Sequence, residues 1–249
     1  MTRFNMEIAG RIFAVNAMFQ STQTFCGDYL SNAEPDCTVT IFPEDIVSEG
    51  AMFEKTYTRQ AVTADRLREA YLETIALQRK IAEQLFDADT LLFHGSVVAV
   101  DGQAYLFTAK SGTGKSTHTR LWRQVFGDRA VMVNDDNPFL RITEEGITVC
   151  GSPWNGKHRL GTNIQVPLKA ICFLERGAEN SIRQVTPQSL LPILLQQSNR
   201  PKDPRQMGRY MDMIDRMTRK TEFYRLACNM DPQAALVSYE GMSGHREKA

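Results

Sequence analysis

No two of the five cysteines, Cys26, Cys37, Cys150, Cys172 and Cys228, form a CxxC pair, and their number is odd. The chain therefore offers neither the thiol spacing of a zinc site nor a disulfide framework, and reduced thiols suit a cytoplasmic protein. Cys172, inside the apolar run Ala170-Ile171-Cys172-Phe173-Leu174, is expected as a small buried hydrophobe. No apolar run approaches the roughly 20 residues of a membrane span. Glu7 and Arg11 stand where a signal peptide would need its apolar core. Charge of one sign is also missing: 29 Lys and Arg balance 29 Asp and Glu, so no overall field draws the chain to nucleic acid or to a membrane. There is no internal repeat and no long low-complexity segment.

Against these absences stands one dense motif, Ala109-Lys110-Ser111-Gly112-Thr113-Gly114-Lys115-Ser116-Thr117. It fits the phosphate-binding P-loop with Ala109 in place of the usual first glycine. A strand-like run, 104–108, precedes it, and Leu121, Trp122, Val125 and Phe126 give a helical pattern after it. Strand, glycine-containing loop and helix start is the order the motif requires. Backbone N–H groups at a helix start point toward an anion, and Gly112 and Gly114 let the backbone approach closely. In such a loop Ser111, Gly112, Thr113, Gly114 and Thr117 would cradle phosphates, Lys115 would meet the β- and γ-phosphates, and Ser116 would reach Mg2+.

The chain length allows one large domain or two smaller ones. Residues 1–88 read as a small α+β segment. A strand is expected near 5–15, and short strands and turns across 20–62, where Asp28, Asn32, Pro35, Pro43 and Gly50 interrupt the apolar runs. A helix capped at Thr63-Ala64-Asp65 follows, with Leu67, Tyr71, Ile75, Ile81 and Leu85 as its apolar positions. Residues 89–249 read as the nucleotide-binding core. Asp101-Gly102 between apolar runs predicts a hairpin, which makes the P-loop strand one arm of an antiparallel pair. The fold class expected is α/β with a mainly antiparallel or mixed sheet and flanking helices. Further strands are expected at 130–133, 138–142, 146–150, about 168–175 and 224–228, with helices at 187–197 and 206–219 and a frayed tail from Gly241.

Asp135 and Asp136 follow the apolar strand 130–133. A carboxylate at a strand end opposite Ser116 can hold Mg2+. On an extended segment the two side chains would face opposite ways, one toward metal and the other toward an acceptor proton. An Asn-Asp-Asp run is equally a turn signature. His94 lies within an apolar stretch, where a lone histidine is commonly structural. His118 is expected on the surface or in packing. The loop 151–161 clusters Trp154, Asn155, Lys157, His158 and Arg159, donors and an aromatic able to bind phosphate or sandwich a flat ring.

The order His94-Gly95, hairpin, Ser-Gly-Thr-Gly-Lys-Ser, Asp135-Asp136 resembles the catalytic domain of HPr kinase/phosphorylase over about residues 90–176. The loop is also similar to that of ATP-dependent phosphoenolpyruvate carboxykinase. The resemblance implies an ATP- and Mg2+-dependent enzyme transferring phosphoryl to a hydroxyl, on a serine of a peptide, of a protein or free. It implies Lys115, Asp135, Asp136 and His94 as catalytic residues, with Asp135 and Asp136 sharing metal binding and the general-base role; of the two, Asp135 is expected to take the acceptor's proton. Ser116, Asp135 and Asp136 would hold the metal, and Lys157 and Arg159 would join the loop in nucleotide contacts. Thr117 stands where the HPr kinases carry Glu, and the carboxykinases are about twice as long, so the likeness does not extend to HPr or oxaloacetate as substrate. A nucleotide-binding accessory protein with little catalysis, or a minimal carboxykinase-like enzyme, are the alternatives.

Overall fold

The computed structural model describes residues 1–56, 65–156 and 158–244, without side-chain placement at 53–56 and 65–66. The chain divides into two compact units, Met1–Asp87 and Ala88–Ala249.

In the first unit, β1 (Thr2–Ile8) and β2 (Arg11–Ala17) form an antiparallel hairpin across Ala9-Gly10, both at positive φ. Next come α1 (Gln20–Phe25), β3 (Leu30–Ser31), β4 (Cys37–Thr40), α2 (Pro43–Thr56) and α3 (Asp65–Phe86). The sheet order is β3-β1-β2-β4. Two expectations fail here. The segment 20–62, expected as short strands and turns, holds β3 and β4 but also two helices, and its residues 57–62 lie outside the described set. Pro43 opens α2 at a position where its missing N–H costs nothing, and Glu44 and Asp45 favour the helix start electrostatically. The Asp45 carboxylate accepts the Phe42 N–H at 2.9 Å, a cap the proline obscured. Gly50 of α2 lies against Leu72 of α3, with a Cβ built on it at van der Waals distance, 3.5 Å, from Leu72 Cδ1. The apolar face of α3 is also rotated. Leu67 and Tyr71 are exposed, while Leu72, Ala76, Leu77, Ile81 and Leu85 are buried. Fully buried Glu73 takes the place an apolar residue would fill. It accepts the N–H groups of Met18 at 2.5 Å and Phe19 at 3.1 Å where α1 begins. The residues Thr63 and Ala64, expected as part of the α3 cap, lie outside the described set.

The second unit runs β5 (Thr90–Leu92), β6 (Ser96–Val100), β7 (Gln103–Thr108), α4 (Lys115–Phe126), β8 (Ala130–Asn134), β9 (Phe139–Ile142), β10 (Ile147–Cys150) and β11 (Gln165–Arg176). It continues with β12 (Ser181–Gln184), α5 (Leu191–Gln197), α6 (Met207–Lys220), β13 (Glu222–Cys228) and α7 (Gln233–Ser243). Its sheet is mixed, ordered β5-β9-β10-β11-β7-β6-β8, with β13 added on β11 and β12 on β13. β7 pairs antiparallel with β6 and parallel with β11. Asp101 and Gly102 both take positive φ, the requirement of a tight hairpin turn.

The apolar run 91–100 is broken rather than continuous. Phe93 N–H goes to Pro138 O, His94 N–H to Gln197 O at 2.7 Å and Gly95 N–H to Asp136 O at 2.9 Å, so the chain crosses from β5, beside β9, to β6, between β7 and β8. A Cβ on Gly95 would lie 2.9 Å from Leu106 Cδ2 and 3.1 Å from Phe107 O, which is why glycine stands there. The tail is not frayed at Gly241. α7 begins where the Asp231 carboxylate accepts Gln233 N–H and ends at left-handed Gly244, and a Cβ on Gly241 would strike Ile182 of β12 at 2.5 Å. Among the described residues no helix is long and apolar enough to cross a membrane.

Candidate functional site

β7 delivers the chain into the loop 109–114, and α4 starts at Lys115. Gly112 at φ 77° and Gly114 at φ 123° take conformations that side chains resist, and nothing lies within 4 Å of where a Gly112 Cβ would point. Among the described residues no side-chain cap occupies the start of α4, so its first-turn N–H groups, which point toward the helix N-terminus, keep no side-chain acceptor there. The loop is braced from β11, where Arg176 Nη2 donates to Gly112 O at 2.7 Å.

Opposite this loop, β8 ends on Asn134, which is fully buried. Its Oδ1 accepts the N–H groups of Asp136 at 2.8 Å and Asn137 at 2.7 Å, and its Nδ2 donates to Ser152 O and Oγ. This side-chain turn bends the chain immediately after the strand. The two carboxylates therefore do not splay to opposite faces as an extended segment would have them. Both act on Lys115. Burial, the larger influence, holds the half-buried Lys115 ammonium below the usual lysine range, while Asp136 and then Asp135 draw it back upward.

The two carboxylates differ in setting. Asp135 is 6% exposed and accepts the Ser96 Oγ–H at 2.7 Å, with Thr119 Oγ1 2.9 Å from that same Ser96 oxygen. Asp136 is more open; its Oδ1 lies 3.3 Å from His94 Nε2 and its Oδ2 accepts from Asn137 Nδ2 at 2.7 Å. Gly156, at φ 71°, takes a backbone conformation that side chains resist, and a Cβ there would be in van der Waals contact, 3.4 Å, with the Asp136 Cβ, so the loop 151–161 lies against the pair.

Two clefts flank the loop. One, of about 240 Å3, has Ser116, Arg120, Arg123, Asp135 and His158 in its wall. The other, of about 610 Å3, runs along Lys110, Ser111, Gly112 and Thr113 to Phe173 and Arg176. Thr117 faces the smaller cleft. Trp154 and Asn155 are buried rather than displayed, which corrects the expectation of a ring-sandwiching aromatic there: loop ends tied by Gly151 N–H to Ile164 O and Thr162 N–H to Val133 O fold the tryptophan inward. Arg159 is exposed and in the wall of neither cleft. Lys157 lies outside the described residues.

Sequence reasoning passed over Ser96, Arg120 and Arg123, and read Asn134 only as part of a turn signature, which is the role it takes here. A signal existed for Ser96, which stands two residues after His94 on the same strand-like run. His118 is packed, 2% exposed, as one of its two expected settings had it.

No protein-family profile matches the chain, and no curated protein matches it. Among solved structures the chain is similar to the Hpr(Ser) kinase/phosphatase from Coxiella burnetii, at 10% identity and a TM-score of 0.34. The match covers 59% of this chain and 90% of that one, a distant structural relationship.

Proposed function

We propose that the unit Ala88–Ala249 is an ATP- and Mg2+-dependent phosphotransferase that moves the γ-phosphoryl group to a hydroxyl, as of a serine side chain. The observation that carries this reading is the position of Lys115. It is half-buried, directly after a glycine-shaped loop, within electrostatic reach of both Asp135 and Asp136. In the reaction the acceptor oxygen forms a bond to the γ-phosphorus as the bond from that phosphorus to the bridging oxygen breaks. The electron pair leaves with ADP, and the hydroxyl proton passes to a carboxylate. Positioning and charge supply most of the rate in such a transfer.

The loop amides and Lys115 hold the phosphate oxygens in this reading. Ser116 and Asp135, in the wall of one cleft, are the donor set for Mg2+, which takes one or two carboxylates and keeps phosphates and waters as its remaining ligands. Among the described residues no three His, Cys, Asp or Glu side chains converge as an all-protein cage, and Mg2+ beside a nucleotide needs none. When bound, the ion neutralises charge on the β- and γ-phosphate oxygens. Asp136 is the carboxylate we assign to the acceptor's proton, because it is the more open of the two and is oriented by His94 and Asn137, while Asp135 is 6% exposed and tied to Ser96. This reverses the base role that the sequence reading gave to Asp135.

The test is transfer from γ-labelled ATP to free serine, serine peptides and cell extract. Asp136→Asn is expected to lower kcat by roughly 10²- to 10⁴-fold with the KM for ATP little changed. Asp135→Asn is expected to raise the Mg2+ concentration needed for half-maximal rate. The opposite pattern would return the base role to Asp135. ATP binding without transfer to any acceptor would favour an accessory nucleotide-binding protein, and phosphoenolpyruvate formed from oxaloacetate and ATP would favour a carboxykinase.

A further inference from the structure

Arg120 and Arg123 stand three residues apart on α4, hence on one face of the helix, and both line the 240 Å3 cleft that also holds Ser116, Asp135 and His158. Both are exposed, and among the described residues neither is paired with a carboxylate. The contrast with other arginines of this unit is clear: Arg129 is bound to Asp101, Arg209 and Arg216 to Asp89, and Arg225 to Glu175. Among the described residues Asp135 is the one acid in the cleft wall, and its Oδ1 accepts the Ser96 hydroxyl. Two guanidinium groups without a partner in a concave site are a receptor for a carboxylate or a phosphate, which their planar forks grip with paired hydrogen bonds.

Size decides which molecule brings that anion. The cleft is smaller than the roughly 300–1,000 Å3 that drug-sized ligands occupy, so a nucleoside does not fit it well. The 610 Å3 cleft on the other flank of the loop is within that range. The arginines also lie one to two helical turns beyond Lys115, about 8–12 Å along the axis from the phosphate loop.

We propose that Arg120 and Arg123 form the acceptor subsite and that the acceptor is a small hydroxy compound carrying its own anionic group beside the hydroxyl, such as a free hydroxy-amino acid or hydroxy acid. The assignment rests on the phosphotransferase reading above. The acceptor's carboxylate binds the two guanidinium groups while its hydroxyl is presented to the carboxylates at the α4 start. That hydroxyl oxygen bonds to the γ-phosphorus, its proton passes to Asp136, and ADP departs with the electron pair. A peptide serine, whose carboxyl is an amide, lacks the charge the subsite requires.

The experiment pairs acids with their amides as acceptors of label from γ-labelled ATP: serine against serinamide, threonine against threoninamide, glycerate against glyceramide. The full-length protein is compared with Arg120→Gln/Arg123→Gln and Arg120→Lys/Arg123→Lys. At least one acid is expected to be labelled in strong preference to its amide. The Gln pair should raise the KM for that acid by on the order of 100-fold, with the KM for ATP within about threefold of the parent, and the Lys pair should recover part of the loss. Equal labelling of amides, or a Gln pair that leaves the acid KM unchanged, overturns the subsite. So does a parallel rise in the KM for ATP, which would place the arginines on the nucleotide. If no acid is labelled while ATP binding persists and depends on Lys115, the subsite fails and the nucleotide reading stands. If ATP does not bind in a Lys115-dependent way, both fail.

Discussion

The two sides of α4 face different chemistry. On one side His118, Leu121, Trp122 and Phe126 are buried against β6, β7 and α7. Trp122 sits among Tyr105, Phe107, Phe126 and Tyr239 with ring centroids 4.9–5.7 Å away, and its Nε1 donates toward Ser238 Oγ at 2.8 Å and His118 Nε2 at 3.1 Å. On the other side Ser116, Arg120 and Arg123 line an open cleft, and among the described residues neither arginine is paired with a carboxylate. The packed side fixes the helix and with it the loop ahead of Lys115. The open side keeps charge that a merely structural helix would pair or lose. The difference teaches that stability and chemistry are segregated on this helix by residue spacing, with 118, 122 and 126 on one face and 116, 120 and 123 on the other. Substitutions on each side should therefore separate in what they damage.

The largest effect is expected from the packed side. Trp122→Ala removes a fully buried ring and should destabilise the unit by about 3–5 kcal/mol. Both tryptophans of the chain, Trp122 and Trp154, lie in Ala88–Ala249, so Trp154 fluorescence follows urea unfolding of this unit in the variant. A loss under about 1 kcal/mol would mean the aromatic cluster does not hold the helix. Next comes Lys115→Ala on the open side. Phosphoryl transfer should fall by roughly 10²- to 10³-fold or more, as for loss of one charge-stabilising donor. The unfolding midpoint should barely move, since the half-buried ammonium is held below its ordinary range by burial and contributes no net stabilisation of its own. A variant that transfers phosphoryl normally would remove the foundation of the functional reading. One that unfolds like Trp122→Ala would erase the distinction between the two sides.

The sequence made the local half of this comparison legible. Asp101-Gly102 announces its hairpin because a tight turn needs two residues at positive φ, and the glycines at 112 and 114 announce a loop whose backbone takes positive φ at both. The mixed character of the sheet was less accessible. β7 reads as a hairpin arm from its neighbours, but its second partner β11 begins about sixty residues later, and such a parallel pairing leaves no short-range pattern. The convergence of Asp135 and Asp136 on Lys115 was hidden for a related reason. Strand alternation predicts that they diverge, and the turn made by Asn134 overrides it. α7 was missed because its cap, Asp231-Pro232, reads as a turn, and the glycine inside it, Gly241, reads as a break until the side chain of Ile182 explains it. The cleft arginines carry no motif at all. That they have no carboxylate partner among the described residues is visible only in the fold.

The smallest effect, and the most specific to the packed side, is acid sensitivity at His118. Its ring is almost wholly buried, and burial pushes its pKa down to about 3 from an ordinary 6.5. Geometry acts in the same direction: Nε2 accepts from Trp122 Nε1, and a proton on Nε2 would set two donors against each other. The unfolded chain takes up the proton below pH 6.5 while the folded chain does not until about pH 3. Stability attached to neutral His118 is thus complete above pH 6.5 and is lost as pH falls through the window from 6.5 toward 3, at up to about 1.4 kcal/mol per pH unit. Between pH 7.5 and 5 the loss should be roughly 2 kcal/mol. Asp203, whose carboxyl is held below the usual 3.8, responds only at lower pH and leaves this window clear. Urea unfolding of the parent and of His118→Gln at pH 7.5, 6 and 5 isolates the effect. The Gln variant keeps an acceptor for Trp122 but cannot titrate, so its stability should be flat where the parent's declines. Equal slopes in the two proteins would mean that the buried imidazole is not the acid-sensitive element, and that the packed side of α4 tolerates a charge that its burial and its single acceptor geometry both argue against.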